Sequence, residues 1–167
     1  DAIYGLVRKR RGCVSAEHGI GTRKKPFLAY SRTADEIRLM QTIKHALDLG
    51  AVGIIVPQVH TAEQAALAVQ WARFPPEGTR GMGIARAHGY GFQISEYNQQ
   101  ANEQTVVVVQ AESAEAVRNI DAIVQTPGLD AVLIGPADLS ASLGHPGDFA
   151  HPDFRQAIAR ITGACQA

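Results

Sequence analysis

Four consecutive valines at positions 106–109 constrain the fold of this chain more than any other feature. β-Branched residues favour strands, and an uninterrupted apolar run is typical of a parallel strand that is buried on both faces. Residues 53–57 (Gly-Ile-Ile-Val-Pro) have the same character, and so does the strand-like run over residues 131–138 (Ala-Val-Leu-Ile-Gly-Pro-Ala-Asp). Segments with helical spacing separate these runs, and this alternation predicts a parallel α/β architecture, either a barrel or an open sheet.

Capping and periodicity locate the helices. Thr33 followed by Asp35 and Glu36 begins a helix that we expect to reach Leu47. Further helices are predicted over residues 61–72, 97–104, 113–123 and 152–165. Residues 79–91 contain four glycines and predict a functional loop rather than a regular element. Before Thr33, the sequence predicts a helix end over residues 1–10, a short strand over residues 12–16 and a turn over residues 17–21.

Two carboxylates follow the apolar runs, Glu112 after the valine strand and Asp138 after the next one. In a parallel sheet or barrel both would lie at the same rim, where α/β proteins bind ligands. Oxygen ligands in small number suit Mg²⁺ or Mn²⁺, so the pair is a candidate metal site. The alternative is that each acid sits at a helix N-terminus, where it stabilises the helix dipole by less than about 1 kcal/mol. Spacing alone leaves both interpretations open.

Composition limits the partners. Sixteen basic and sixteen acidic side chains cancel, so neither nucleic acid nor an anionic membrane is expected to bind. The apolar runs are too short to span a bilayer, and no leader precedes them, which predicts a cytoplasmic protein. Cys13 and Cys165 are far apart and lack the spacing of a zinc site or a disulfide framework.

From about Leu47 to Ala167 the chain resembles the HpcH/HpaI family of metal-dependent 2-oxo acid aldolases. The resemblance is carried by residues 46–51 (Ala-Leu-Asp-Leu-Gly-Ala), 53–57, 75–81 (Pro-Pro-Glu-Gly-Thr-Arg-Gly), 109–112 (Val-Gln-Ala-Glu) and 134–140 (Ile-Gly-Pro-Ala-Asp-Leu-Ser). That family folds as a (β/α)₈ barrel and forms oligomers with active sites near subunit interfaces. The resemblance therefore implies a partial TIM barrel of about three β/α units over residues 49–167, with exposed strand edges and core faces.

The same resemblance assigns roles to individual residues. The reaction it implies is reversible aldol cleavage of a 2-oxo acid to a pyruvate-type product and an aldehyde, assisted by Mg²⁺ or Mn²⁺. Glu112 and Asp138 match the metal ligands, and Asp48 matches an acid that supports the catalytic base across a subunit interface. The matching substrate-site positions are Gln110, Gly135, Pro136, Ala137 (through its backbone N–H) and Asp138, while Arg86 and His88 are expected near the aldehyde end.

Residues 1–48 resemble a different family, the carboxyl-terminal end of FAD-linked 2-hydroxy acid dehydrogenases. The similarity rests on residues 12–21 (Gly-Cys-Val-Ser-Ala-Glu-His-Gly-Ile-Gly) and 43–48 (Ile-Lys-His-Ala-Leu-Asp). In that family the pair matched by Glu17 and His18 lies at the substrate site. No flavin-binding domain is recognised, so flavin is not an expected cofactor. The two resemblances meet at residues 44–48, which suggests a chimera in which the helix from Thr33 to Leu47 replaces the equivalent aldolase helix.

Three functional readings follow. The base histidine and carboxylate-binding arginine of the aldolases have no match within residues 1–46, and His18, His45 and His60 are not at the base position. The first reading is an aldolase, and the second is an inactive chimeric or truncated fragment that at most binds metal and oxo acid. The third is a residual FAD-dependent dehydrogenase function at Glu17 and His18.

Overall fold

A computed structural model of the protein describes residues 33–166, which form seven α-helices and three parallel β-strands. The strand and helix signals of the sequence are therefore confirmed as an α/β fold. The elements predicted within residues 1–21 lie outside the described part of the chain. The elements are α1 (Ala34–Asp48), β1 (Gly53–Val56), α2 (Ala62–Ala72), a 3₁₀ segment (Arg86–Gly91), α3 (Ile94–Gln104), β2 (Val106–Ala111), α4 (Ala114–Arg118), α5 (Ile120–Val124), β3 (Ala131–Ile134), α6 (Pro136–Ser142) and α7 (Pro152–Gln166).

Helix α1 begins at a reciprocal cap. The Thr33 hydroxyl accepts the backbone N–H of Glu36 at 3.2 Å, and the Glu36 carboxylate accepts the backbone N–H of Thr33 at 2.7 Å. Two N–H groups that would have no partner inside the helix are thereby satisfied. Gly50 follows the helix with a φ of +103°, a left-handed conformation that glycine adopts without strain.

The three strands form one parallel sheet in the order β1-β2-β3. Val56 pairs with Val109, and Ala111 pairs with Ile134, so the carboxyl ends of the strands lie close to one another. Side chains alternate across the sheet, and Val107, Val109 and Ala111 are buried on one face. Helix α7 also buries side chains with helical spacing: Phe154, Ala157, Ile161 and Ala164.

The opposite face of the sheet is partly open. Ile55 is 57% exposed, Val106 45% and Leu133 44%. The valine run alone predicts burial on both faces, and that prediction is wrong for this face in the described residues. The expectation from a partial barrel is confirmed instead, because three strands cannot close and leave one face with apolar side chains toward solvent.

Several element boundaries differ from the sequence predictions. The glycine-rich segment predicted as a loop ends in a 3₁₀ segment, and α3 begins at Ile94 rather than at Tyr97. One helix predicted over residues 113–123 is divided at Asn119 into α4 and α5. Residues 136–142 form α6, which the sequence analysis did not predict. Pro136 suits this helix, because proline is favoured in the first turn.

The chain divides into two compact units. One contains residues 1–51 and 71–103, and the other contains residues 52–70 and 104–167. The sheet, α4, α5, α6 and α7 belong to the second unit, while α1 and the 3₁₀ segment belong to the first. The boundary predicted near residue 48 from the two resemblances stays a prediction.

Within residues 33–166, none of the helices combines the length and apolar character that crossing a bilayer requires.

Replacing Gly53 by alanine is expected to destabilise the sheet. A Cβ at this position would lie 2.5 Å from the carbonyl oxygen of Val106 and 2.9 Å from its Cβ, so the two strands would have to separate. We expect a loss of about 1–3 kcal/mol in the free energy of unfolding, measured by chemical denaturation. Gly163→Ala is the matched control, since nothing lies within 4 Å of its added Cβ and alanine favours helix α7 by up to about 1 kcal/mol. Equal stability of the two variants would contradict the close strand contact.

The ion pair between α5 and α7 predicts a pH-dependent contribution to stability. Arg160 donates from Nη1 to Oδ1 of Asp121 at 2.7 Å and from Nη2 to Oδ2. Hydrogen bonding from Arg160 lowers the pKa of Asp121 from its ordinary value of 3.8, outweighing the opposing desolvation. The pair therefore stabilises the fold above that ordinary value, and the effect is lost as the pH falls through the lowered pKa.

Melting temperatures of the wild type and Asp121→Asn, measured from pH 6 to pH 2, are the test of this ion pair (about four pH units span the transition). The difference should be constant at the upper end and should shrink toward zero at the acidic end. Arg160→Gln should reproduce the same profile. A difference that does not depend on pH would contradict this assignment.

Candidate functional site

Glu112 occupies a buried position directly after β2. Its side chain is only 4% exposed, and its Oε1 accepts the backbone N–H of Gln58 at 2.7 Å. Burial of a carboxylate is costly unless hydrogen bonds or a cation compensate it. A single backbone donor at one oxygen therefore fixes the orientation of the side chain and leaves the other oxygen, Oε2, directed elsewhere.

Gly135 lies beside that second oxygen. A Cβ at Gly135 would be 2.5 Å from Oε2 of Glu112, 2.6 Å from Nε2 of Gln110 and 2.8 Å from Cβ of Glu112. Gly135 immediately follows β3, whose Ile134 pairs with Ala111. The register thus brings Gln110, Glu112 and Gly135 together at this end of the sheet.

Asp138 lies in the first turn of α6, three residues beyond Gly135, and it is exposed. It is not the last residue of a strand, because β3 ends at Ile134 and Pro136 begins the helix. The interpretation of Asp138 as an acid near a helix N-terminus is therefore correct for its backbone position. Ala137 lies in the same turn, where backbone N–H groups have no acceptor inside the helix.

The residues at this rim fit a divalent cation. Glu112 and Asp138 provide hard carboxylate oxygens, and Gln110 provides an amide, which is the donor chemistry that Mg²⁺ and Mn²⁺ prefer. The absence of a side chain at Gly135 lets Oε2 of Glu112 and Nε2 of Gln110 approach the backbone closely. We infer that Glu112 and Asp138 are the residues that would hold the ion.

Gln58 contributes a hydrogen bond to the site, and the sequence analysis did not predict it. It follows Pro57 after β1 and has a φ of +55°, a left-handed conformation that is uncommon for residues other than glycine. This conformation accompanies the donation of its N–H to Glu112. A proline before a polar residue is the signal in the sequence, but it does not indicate a left-handed turn or its acceptor.

Asp48 lies at the end of α1 in the first unit. Arg80 donates from Nη2 to Oδ1 of Asp48 at 2.8 Å, and Lys44 contacts Oδ2. The Arg80 side chain is 1% exposed, donates also to the Tyr97 hydroxyl at 3.1 Å and lies 4.4 Å from the centroid of the Phe74 ring. Both oxygens of Asp48 are thus held by cations, which makes this carboxylate rigid.

Arg86 and His88 also belong to the first unit. Arg86 begins the 3₁₀ segment and is exposed. His88 is 3% exposed, its Nδ1 accepts the backbone N–H of Gly91 at 3.0 Å, and its Nε2 lies 2.7 Å from the carbonyl oxygen of Gly83. Nε2 also accepts the backbone N–H of Ala85 at 2.9 Å, so each ring nitrogen has a backbone N–H donor. Both ring nitrogens of His88 therefore bind the loop itself.

The chain matches two protein families. Residues 32–167 match the family described as HpcH/HpaI aldolase/citrate lyase, and residues 1–48 match the C-terminal domain of FAD linked oxidases. The first match begins earlier than Leu47, so α1 is included in it. The two matches overlap over residues 32–48.

Individual relatives are similar over most of this chain. A 2-keto-3-deoxy-L-rhamnonate aldolase from Klebsiella pneumoniae is 47% identical over 131 residues, which are 75% of this chain and 49% of that protein. A 4-hydroxy-2-oxovalerate aldolase from Rhodococcus jostii is 52% identical over 116 residues, which are 70% of this chain and 45% of that protein. The chain thus spans about half the length of these relatives.

A solved structure has the same fold. The crystal structure of an HpcH/HpaI aldolase/citrate lyase family protein from Burkholderia cenocepacia superimposes with a TM-score of 0.73 at 44% identity, over 76% of this chain and 51% of that one. The parallel sheet, the site geometry after β2 and β3, and the matched residues lead to one conclusion: over residues 32–167 the chain belongs to the HpcH/HpaI aldolase/citrate lyase family.

Proposed function

We propose that this chain carries the metal-binding and oxo acid-binding part of a class II aldolase, a carbon–carbon lyase that acts on 2-oxo acids. The observation that supports the proposal most directly is the buried Glu112 carboxylate, which one backbone N–H orients and whose Oε2 lies close to Gly135. The names of the relatives, two of them aldolases of oxo acids, support the same class of substrate.

Each residue at the rim has a distinct part in this proposal. Glu112 and Asp138 hold the cation, which supplies Lewis-acid stabilisation of negative charge on the carbonyl oxygen of the bound oxo acid. Gln110 orients the oxo acid through its amide, and the backbone of residues 135–137 lines the same space. Gln58 keeps Glu112 in place, so the ligand geometry does not have to form anew when substrate binds.

Asp48 and Arg86 have proposed roles that rest on the resemblance. Asp48 would support the catalytic base, and the contacts from Arg80 and Lys44 show how its carboxylate is kept in a fixed orientation. Arg86 would contact the aldehyde end of the substrate. Assembly into a homo-oligomer follows from the same resemblance and stays a prediction.

The second candidate function is binding without turnover. It is favoured by the absence, within residues 1–46, of a match to the family's base and carboxylate-binding arginine. Both candidates require the same metal and oxo acid site. They differ only in whether pyruvate and an aldehyde are converted to product.

Glu112→Gln is expected to abolish aldol product formation from pyruvate and an aldehyde in the presence of Mn²⁺. The neutral amide removes the charge that holds the cation while keeping the size of the side chain. The measurement is product yield by chromatography against a background with Mn²⁺ alone. Glu115→Gln is the matched control, because Glu115 is an exposed acid on the first turn of the neighbouring helix α4.

Two results would decide between the candidate functions. Product from the wild type and Glu115→Gln but not from Glu112→Gln supports the aldolase. Wild-type yields equal to the Mn²⁺ background would reject turnover by this chain and leave binding without turnover.

Gly135→Ala is expected to remove ligand-dependent stabilisation. Oxalate mimics the planar 2-oxo acid, and with Mn²⁺ it should raise the wild-type stability by about 2.7 kcal/mol at about 100 times its dissociation constant. The added Cβ would displace the side chains of Gln110 and Glu112 and should eliminate this rise, as should Asp138→Asn. Gly163→Ala should retain it. An undiminished rise in Gly135→Ala would place the metal elsewhere.

A further inference from the structure

A second group of possible metal ligands lies in the segment between α6 and α7. Ligand atoms of His145, His151 and Asp153 all lie within 4.8 Å of one another. Within residues 33–166 this is the one group of three or more histidine, cysteine or acidic side chains that meets such a limit. None of the three has a part in the proposed aldolase site.

Hydrogen bonds of the connecting segment determine where the two histidines lie. The backbone N–H of His145 donates to the carbonyl oxygen of Ser140 at 2.9 Å, and the fully buried Ser140 hydroxyl accepts the N–H of Gly147 at 2.9 Å. Oδ1 of Asp148 accepts the N–H of His151 at 3.1 Å. The segment is thus attached to α6 at one end and closed by its own turn at the other.

The separations within the cluster suit a shared cation better than direct hydrogen bonds. Nε2 of His145 lies 3.5 Å, and Nδ1 of His151 lies 3.7 Å, from Oδ2 of Asp153. Both distances exceed those of ordinary N–H···O hydrogen bonds. In a tetrahedral zinc site with bonds of about 2.0–2.1 Å, neighbouring ligand atoms are about 3.3–3.4 Å apart. The carboxylate and the two imidazoles are therefore close to the spacing that a zinc ion requires.

Each histidine ring makes a contact that a shared cation would replace. The backbone N–H of Asp153 donates to Nδ1 of His151 at 3.2 Å, so this nitrogen has its lone pair directed toward the residue that carries the carboxylate. A cation that binds Nδ1 would replace this hydrogen bond. The rings of His145 and His151 are stacked with centroids 3.4 Å apart and an interplanar angle of 18°. Because the lone pair of an imidazole nitrogen lies in the ring plane, one ring turns out of the stack when both nitrogens bind the same ion.

We propose that His145, His151 and Asp153 form a binding site for a borderline transition-metal cation such as Zn²⁺. Two imidazole nitrogens and one carboxylate oxygen favour Zn²⁺, Ni²⁺ or Cu²⁺ over Mg²⁺, which prefers oxygen ligands alone. The side chains are 34%, 29% and 59% exposed, so water completes the coordination. The bound ion joins the α6–α7 segment to the first turn of α7, and the site is chemically distinct from the carboxylates at Glu112 and Asp138.

The experiment is a calorimetric titration of ZnCl₂ into the Glu112→Gln protein in excess Mg²⁺. The Glu112 substitution removes the carboxylate of the proposed aldolase site as a second ligand for Zn²⁺, so the outcome does not depend on that site. We expect saturable binding of one equivalent that Mg²⁺ does not compete for. Adding His145→Ala or Asp153→Asn should weaken the affinity by at least about tenfold, since even loss of an outer contact to a metal ligand costs that much.

His45→Ala is the matched control, because His45 is an exposed histidine in the last turn of α1 outside the cluster. It should leave the Zn²⁺ affinity unchanged. Asp153→Asn removes the charge of an exposed side chain and keeps its size, so it tests the site even where His145→Ala lowers stability. Equal Zn²⁺ affinity with and without Asp153→Asn and His145→Ala would overturn the proposal, as would the absence of saturable binding in the Glu112→Gln protein.

Substitution of Co²⁺ for Zn²⁺ provides an independent readout. Coordination by His145 and His151 should produce a visible absorption band that saturates with the calorimetric binding and is lost in the His145→Ala and His151→Ala variants. A band of equal intensity in both variants would show that other residues bind the ion.

Discussion

The parallel register between β2 and β3 is the constraint on which the rest of the site depends. Since Ala111 pairs with Ile134, the residues one position further on, Glu112 and Gly135, are brought to the same sheet edge. Strand alternation then places Gln110 on the side opposite the buried Val109. A shift of the register by one residue would turn the apolar set toward solvent and separate the carboxylate from the glycine. The same strand register is therefore required both for the stability of the sheet and for the geometry of the site.

Burial of Glu112 shows how the fold compensates an unfavourable charge. The carboxylate receives one hydrogen bond from a residue whose backbone has itself a strained conformation, Gln58. Such conformations cost on the order of 1–3 kcal/mol and persist only where surrounding structure determines them. The strained backbone of Gln58 and the buried carboxylate of Glu112 are thus joined by one hydrogen bond that fixes the position of both. A cation at this position would offset part of both costs.

Much of this arrangement can be predicted from the sequence, and the rest depends on contacts between distant segments. The valine run and its following acid identify β2 and Glu112, because strand propensity and pattern are local properties. The helix at residues 136–142 was missed, although Pro136 is a start signal, because the apolar run before it suggested that the strand continued toward Asp138. The N–H of Gln58 and the close approach at Gly135 could not be predicted, since each depends on a partner more than twenty residues away.

Arg80 and His88 illustrate the same limit. A glycine-rich segment containing arginine and histidine suggests exposed ligand contacts, yet both side chains are buried and bound within their own unit. Burial of an arginine depends on aromatic rings and an acid that only the folded chain assembles, here Phe74, Tyr97 and Asp48. Local composition describes the type of segment but not which of its polar groups face inward.

The open face of the sheet has a consequence for how the chain behaves at high concentration. Within residues 33–166, β1 and β3 each have a neighbour on one side only, and Ile55, Val106 and Leu133 present apolar surface between those edges. Unpaired strand edges beside apolar side chains are templates on which strands of other molecules pair. The apolar residues that form these strands therefore also favour association between molecules. Charged substitutions at Ile55 or Leu133 would reduce this association and increase solubility.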